Sequence, residues 1–357
     1  MADPRTTIVV TQRERYTPSP RYVDAILDAA GTDARVIVVD GGSPSPTREW
    51  HQELATRRDL LQLRVEHALA PCEARAAALP FLTTEFTAFV DNDVVMDEGW
   101  LAILERTADD TGAWAVGPLY LHGYPTATFD APRIHMAGGR CRIVEVDGRR
   151  RIDTEMTSYD WPTAEARPAS RFRTELLEYH CVLVRTDFIR ADGVHDTQLR
   201  TGHDMYDLCL KLTQAGGECW LEPAVTMYYD RPDRIDDVDR ELYTLRWSTV
   251  WDTATLDHFV EVWGLDPDDP DRAHTEYWHA WQRRLGYVPA RNPLQALQRK
   301  RRALADSTHE ANALASDRAR RRAAGGSTEH AAPASIVHTP DWAREWVSAS
   351  AEPVATY

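Results

Sequence analysis

Between residues 6 and 116 the chain alternates short β-branched runs with stretches of helical spacing, and that alternation admits few folds. Residues 7–11 (Thr-Ile-Val-Val-Thr) have strand length. Tyr22, Val23, Ile26, Leu27 and Ala30 then recur at helical spacing, and Gly31 supplies a stop. Residues 36–39 form a second β-branched run that ends at Asp40 and meets the chain break Gly41-Gly42-Ser43-Pro44. Residues 61–65 read as a third strand, and Pro71 opens an alanine-rich helix up to Leu79. A strand before Asp91, a helix from Glu98 to Ala108 and a run over 113–116 complete the series. Strands alternating with helices predict an α/β fold with a mostly parallel sheet flanked by helices. Right-handed crossovers bring Asp40 and the acids after the fourth strand to one edge, and ligands of such sheets bind beyond the carboxyl ends of the strands.

The fourth strand runs straight into Asp91-Asn92-Asp93. Two carboxylates this close repel each other unless a cation lies between them. A hard divalent cation held by one or two carboxylates keeps coordination positions open for phosphate. The stretch therefore predicts a metal–diphosphate site, against the plainer reading of a polar turn.

Taken in order, these segments resemble glycosyltransferase family 2, whose fold is the nucleotide-sugar-binding arrangement called GT-A. The resemblance rests on residues 6–13, on Val36-Ile37-Val38-Val39-Asp40-Gly41-Gly42-Ser43, on Glu73-Ala74-Arg75 and on Phe89-Val90-Asp91-Asn92-Asp93. It continues through residues 202–212 (Gly-His-Asp-Met-Tyr-Asp-Leu-Cys-Leu-Lys-Leu), Gly216, Gly217 and Leu221-Glu222-Pro223. It implies an inverting transferase that uses a nucleoside diphosphate sugar, UDP or dTDP, with Mn²⁺ or Mg²⁺. By resemblance Asp93 is the first metal ligand, with Asp91 beside it. Thr11, Asp40, Arg75, Asp91 and Asn92 would contact the nucleotide, Asp40 through a pyrimidine imide N–H. Asp204 would be the general base that takes the acceptor's proton, while the metal stabilises the departing diphosphate. An N-cap aspartate is the plainer account of Asp204.

The chain departs from the family in two places. Relatives often carry Glu-Asp or Glu-His where Asp204-Met205 stands, and often place a metal-binding histidine soon after Glu-Pro, where this chain reads Val225-Thr226-Met227-Tyr228-Tyr229-Asp230. Asp230 or a tyrosine is then expected near the metal. A retaining transferase on the same fold and a non-catalytic nucleotide-sugar-binding relative stay open as alternatives. A nucleotidyltransferase is disfavoured, because the loop after the first strand is Gln12-Arg13-Glu14-Arg15-Tyr16 and not a glycine-rich one.

The resemblance sets domain bounds of 1–235 for the catalytic domain (1–117 nucleotide-binding half, 118–235 acceptor side), 236–325 for a helical C-terminal extension and 326–357 for a loosely ordered tail. On the acceptor side His203, Tyr120 and Trp161 are candidate contacts, in or near an irregular stretch that also holds His122, Tyr124, His135, Gly138, Gly139 and Tyr159, and Asp147-Gly148 predicts a hairpin between residues 141–146 and 149–153. Residues 181–184 read as a further short strand. In the extension, Leu242 to Trp251 predict one helix, Phe259 to Trp263 a second and Tyr277 to Tyr287 a third. The aromatic residues there predict packing on the catalytic domain or on a second copy. Arg299-Lys300-Arg301-Arg302 and residues 318–322 predict a solvated helix, or, more sharply, a peripheral membrane contact. Trp342 and Trp346 would dock a short helix. Five cysteines without Cys-x-x-Cys spacing predict reduced thiols in a cytoplasmic protein. No run is apolar enough to span a bilayer, the start Met-Ala-Asp-Pro-Arg lacks a signal peptide's apolar segment, and a net charge of −15 argues against nucleic acid as partner. The expected acceptor is a carbohydrate, a lipid-linked sugar or a small molecule.

Overall fold

The computed structural model describes residues 3–31, 34–123, 131–191, 193–231, 235–285, 294–327, 331 and 333–344. Tyr124, Tyr287 and Trp346, and most of the expected tail, lie outside them. The first half runs β1 (Thr6–Thr11), α1 (Ser19–Ala30), β2 (Ala34–Gly41), α2 (Thr47–Arg58), β3 (Leu61–Val65), α3 (Pro71–Ala78), β4 (Phe86–Asp91), β5 (Val94–Met96) and α4 (Trp100–Thr111). It continues with β6 (Ala115–His122), β7 (Arg133–Met136), β8 (Gly139–Val146), β9 (Arg149–Met156), α5 (Thr163–Ala166), β10 (Phe172–Thr174), β11 (Cys181–Arg185), α6 (Thr186–Ile189), α7 (Asp204–Gln214) and β12 (Cys219–Tyr229). The helical extension holds α8 (Arg240–Arg246), α9 (Thr249–Trp263), α10 (Pro270–Leu285) and α11 (Leu294–Ala323), followed by β13 (Ser335–His338).

One mixed sheet in the order β10-β12-β6-β11-β4-β1-β2-β3-β13 forms the centre. The pairs β4–β1, β1–β2 and β2–β3 are parallel, as the strand–helix alternation predicts. β11 then enters antiparallel to β4. β1 and β4 are buried along their whole length, which explains why they show no apolar–polar alternation and hold only threonine and a terminal aspartate beside their apolar residues. Ile8, Val10, Val38, Phe89 and Trp100 belong to the largest core cluster. At about 1.5–3 kcal/mol per fully buried large side chain, such burial dominates the stability of the sheet. Gly42 makes the turn after β2: its φ is +69°, and a Cβ there would stand 2.7 Å from the His67 backbone.

Four expectations change. The first helix of the extension breaks at Trp247-Ser248. Ser248 caps α9 by accepting the Trp251 N–H at 3.2 Å, so Trp251 shares a helix with Phe259 and Trp263. The tail is not all loose, because β13 pairs antiparallel with β3. Trp342 lies in a single 3₁₀ turn with the Arg35 guanidinium 5.3 Å from its ring. Finally, α11 is not merely a solvated helix: Arg321 is fully buried against Glu73 and Asp317.

Candidate active site

Parallel pairing of β1 and β4 sets Thr11 opposite Asp91, and the Thr11 carbonyl accepts the Asn92 N–H at 3.0 Å. The chain leaving β1 therefore passes over the acids that close β4. Asn92 fastens it there. Its Nδ2 donates to the Arg15 carbonyl at 2.9 Å and to Ser19 Oγ at 2.8 Å. Arg13 Nε then stands 3.8 Å from Asp91 Oδ2, and Arg15 Nη2 stands 3.4 Å from Asp93 Oδ2. The visible work of Asn92 is thus to hold the arginine loop.

Asp91 Oδ1, Asp93 Oδ1 and His180 Nδ1 are buried and have no hydrogen-bond partner. Ligand-type atoms of these three residues all lie within 4.8 Å of one another. Burying unpaired polar atoms costs stability, and a shared divalent cation would satisfy all three. Two carboxylates and an imidazole fit that role. Burial pushes the Asp93 carboxyl up to about 6, against the pull of Arg15 and Arg13.

His180 is the residue that sequence reasoning missed. It stands immediately before β11, whose antiparallel register aligns Cys181 with Val90, and the Asp91 N–H donates to the His180 carbonyl at 3.1 Å. A nitrogen able to ligate a metal thus comes from β11's entry, not from the segment after Glu222-Pro223. The expected neighbours of the metal, Asp230 and a tyrosine, are close by. Asp230 Oδ2 lies 3.7 Å from Arg15 Nη1. The Tyr229 ring packs 4.6 Å from His180, and its hydroxyl accepts from Arg13 Nη1 at 2.7 Å.

A cavity of about 840 Å³ opens over this edge, with Asp91, His180, Arg75 and Asp204 on its wall. Asp93 is fully buried behind Asp91. Arg75, on α3, lies 3.6 Å from the Tyr179 ring and pairs with Asp204 Oδ2. Asp204 is the first residue of α7. His203 before it takes a left-handed φ of 62°, and Asp204 Oδ1 accepts the Met205 N–H at 3.1 Å. His203 also lines the cavity, 3.7 Å from Asp271. Asp207 is engaged elsewhere, accepting from Lys211 at 2.6 Å and from Trp263 at 3.0 Å.

Five expected contacts, Thr11, Asn92, Asp40, Tyr120 and Trp161, sit apart from the cavity wall. Asp40 is fully buried; it pairs with Arg64 and accepts the Ser43 N–H at 3.0 Å, which closes the turn after β2. Tyr120 is a core residue: its hydroxyl donates to the Cys181 carbonyl at 2.9 Å and accepts the Glu178 N–H at 3.1 Å. It therefore braces the turn that carries His180. Trp161 is exposed, and its carbonyl accepts the Ile134 N–H at 2.9 Å.

The β8–β9 hairpin and α10 supply the opposite wall. Ile152 N–H donates to Asp269 at 2.8 Å and Thr154 Oγ1 to Asp271 at 2.7 Å, tying hairpin to helix. Glu178 also faces the cavity. Burial works to raise its carboxyl, but His135, His180 and Arg13 outweigh it and hold the group at about 2. The role of α10 was illegible in sequence, since its aromatic spacing fits simple packing equally well. Among the described residues no helix is long and apolar enough to cross a membrane. The side chains of Arg299–Arg302 lie outside the described set.

Residues 6–170 match the model of glycosyl transferase family 2. The pre-mycofactocin glycosyltransferase of Mycobacterium tuberculosis is 28% identical over 235 residues, 65% of this chain and 44% of that protein. The chain thus spans less than half the length of the curated relatives it matches. Among solved structures, GalNAc-T7 with UDP, GalNAc and Mn²⁺ overlaps 78% of this chain and 54% of its own at 13% identity, with a TM-score of 0.48. TarS 1-349 of S. aureus with UDP-GlcNAc overlaps 90% of this chain and 84% of its own, at 13% identity and a TM-score of 0.44. Over residues 6–170, less than half of its length, the chain is thus similar to glycosyl transferase family 2.

Proposed function

We propose that the chain is an inverting glycosyltransferase that moves a sugar from a nucleoside diphosphate to an acceptor hydroxyl. The observation that carries this reading is the convergence of Asp91 Oδ1, Asp93 Oδ1 and His180 Nδ1, all unpartnered, at the edge of a cavity large enough for such a donor. A divalent cation held there, Mn²⁺ or Mg²⁺, would neutralise charge on the leaving diphosphate. Arg13 and Arg15 add fixed positive charge beside the same acids.

Asp204 is the group we assign to accept the acceptor's proton. It is the carboxylate at the start of α7 that faces the cavity, whereas Asp207 is tied to Lys211 and Trp263. Arg75 holds Asp204 Oδ2 and lies at the donor side of the wall, so it orients the base. UDP or dTDP is the expected donor by family resemblance; Asp40, buried against Arg64 and apart from the cavity wall, would meet an imide N–H only if that pair opened. The acceptor would lie against the wall that the hairpin and α10 form together.

Binding without transfer is the second reading. The Arg75–Asp204 ion pair favours it, because it occupies the oxygen that the acceptor's proton would need. A thermal-shift screen of nucleoside diphosphates and their sugars with Mn²⁺, followed by anomeric analysis of product, tests both. Stabilisation by UDP-type ligands with turnover and inverted product supports the first reading. Stabilisation without turnover supports the second, and no stabilisation by any nucleotide contradicts the donor site.

A further inference from the structure

Glu178 and His135 meet without forming a hydrogen bond. His135 Nε2 stands 2.9 Å from Glu178 Oε2, yet that oxygen is buried and has no hydrogen-bond partner. Two ligand atoms bound at right angles to one divalent transition metal are themselves about 3 Å apart, given metal–ligand bonds of about 2.1 Å. His180 Nε2 is 3.9 Å from the same Glu178 oxygen, and ligand-type atoms of all three residues fall within 4.8 Å of one another. The rings of His135 and His180 cross at 73° with centroids 5.5 Å apart, so they converge on the carboxylate from two directions.

We propose a second cation site, formed by His135, Glu178 and His180, that takes a divalent transition metal. It goes beyond the donor reading, which uses Asp91, Asp93 and the other ring nitrogen of the same His180. The ligand sets differ in kind: two imidazoles and one carboxylate suit Zn²⁺, Co²⁺ or Mn²⁺ and discriminate against Mg²⁺. The sites are neighbours because His180 faces Asp91 through Nδ1, at 3.0 Å, and Glu178 through Nε2. One imidazole ring stands between them; a neutral ring has a single lone-pair nitrogen, so filling both sites releases its N–H proton to solvent and leaves a bridging imidazolate. The site is braced from behind, since the Tyr120 hydroxyl accepts the Glu178 N–H and donates to the Cys181 carbonyl. Glu178 and His135 both line the cavity, so an ion has a route in and an open face toward the acceptor side.

Co²⁺ titration of the full chain, read by visible absorption with metal content measured in parallel, tests this. Two equivalents are expected in the unaltered chain. Glu178→Gln and His135→Ala should each remove one, and Asp93→Asn should remove the other while leaving the His135 site filled. Excess Mg²⁺ should displace cobalt from the Asp93 site only. His135→Gln, with its melting temperature compared, separates loss of a ligand from loss of fold. A single equivalent lost with Asp93→Asn and untouched by His135→Ala would overturn the second site while leaving the donor site standing. No cobalt bound at all would overturn it too, as would two equivalents retained in both His135 variants.

Discussion

Arg75 and Asp204, 129 positions apart in sequence, meet as an ion pair on the wall of the cavity. The relationship was not legible in sequence, where the two residues were assigned separately to donor and acceptor. It couples them: α3 presents the guanidinium over the Tyr179 ring, and the start of α7 presents the carboxylate.

The pair gives a first expectation. Asp204→Asn keeps the side chain's shape and removes its capacity as a base. General-base loss typically costs about 10²–10⁴-fold, so kcat should fall by about that range while UDP affinity stays within about twofold. Steady-state kinetics with calorimetry checks this, and a fully active Asp204→Asn would show that the base lies elsewhere.

The extension is clamped to the catalytic half by charge. Glu73 on α3 accepts from Arg321 on α11 at 2.7 and 2.8 Å, and Arg200 stands 3.2 Å away. Burial acts to raise the Glu73 carboxyl, but Arg321 and Arg200 outweigh it and hold the group below 4.5. A carboxylate depressed in the folded state contributes stability above its unfolded value, and that contribution is lost as pH falls through 4.5 toward the folded one. Melting temperature should therefore drop more steeply below pH 4.5 in the unaltered chain than in Glu73→Gln. Arg321→Ala takes from buried Glu73 its two-point partner and leaves Arg200 and the Ala70 N–H to offset the charge, so the loss should fall at the lower end of about 3–5 kcal/mol in denaturant unfolding near neutral pH.

Tyr120 offers a test of the bracing role. Tyr120→Phe leaves the Glu178 N–H without its acceptor in a buried setting, a loss of about 1–3 kcal/mol. Chemical denaturation measures the loss. Mn²⁺ affinity should weaken in the same variant, because the turn carrying His180 is no longer pinned. An unchanged affinity would mean that the turn holds itself.

The strands were legible because buried parallel strands write themselves as β-branched runs; residues 61–65 match β3 end to end. α2 was not, since its polar sequence Thr-Arg-Glu-Trp-His-Gln-Glu-Leu-Ala-Thr-Arg-Arg has little apolar periodicity. At the site, Asp91 and Asp93 stood out because they follow a strand without a break. His180 did not, because its nearness to Asp91 depends on β11 pairing with β4 across about ninety residues of intervening chain. Local pattern cannot report such a long-range register. Asp40 was visible as a strand-end acid, but its partner Arg64 lies on the next strand and shows only once β2 and β3 are aligned, Asp40 opposite Arg64.

The most direct test of the account is calorimetric titration of UDP into the full chain with and without Mn²⁺, in the unaltered protein and in Asp93→Ala. The account predicts Mn²⁺-dependent UDP binding that Asp93→Ala abolishes. UDP binding of equal strength with and without Mn²⁺, unchanged by Asp93→Ala, would contradict it.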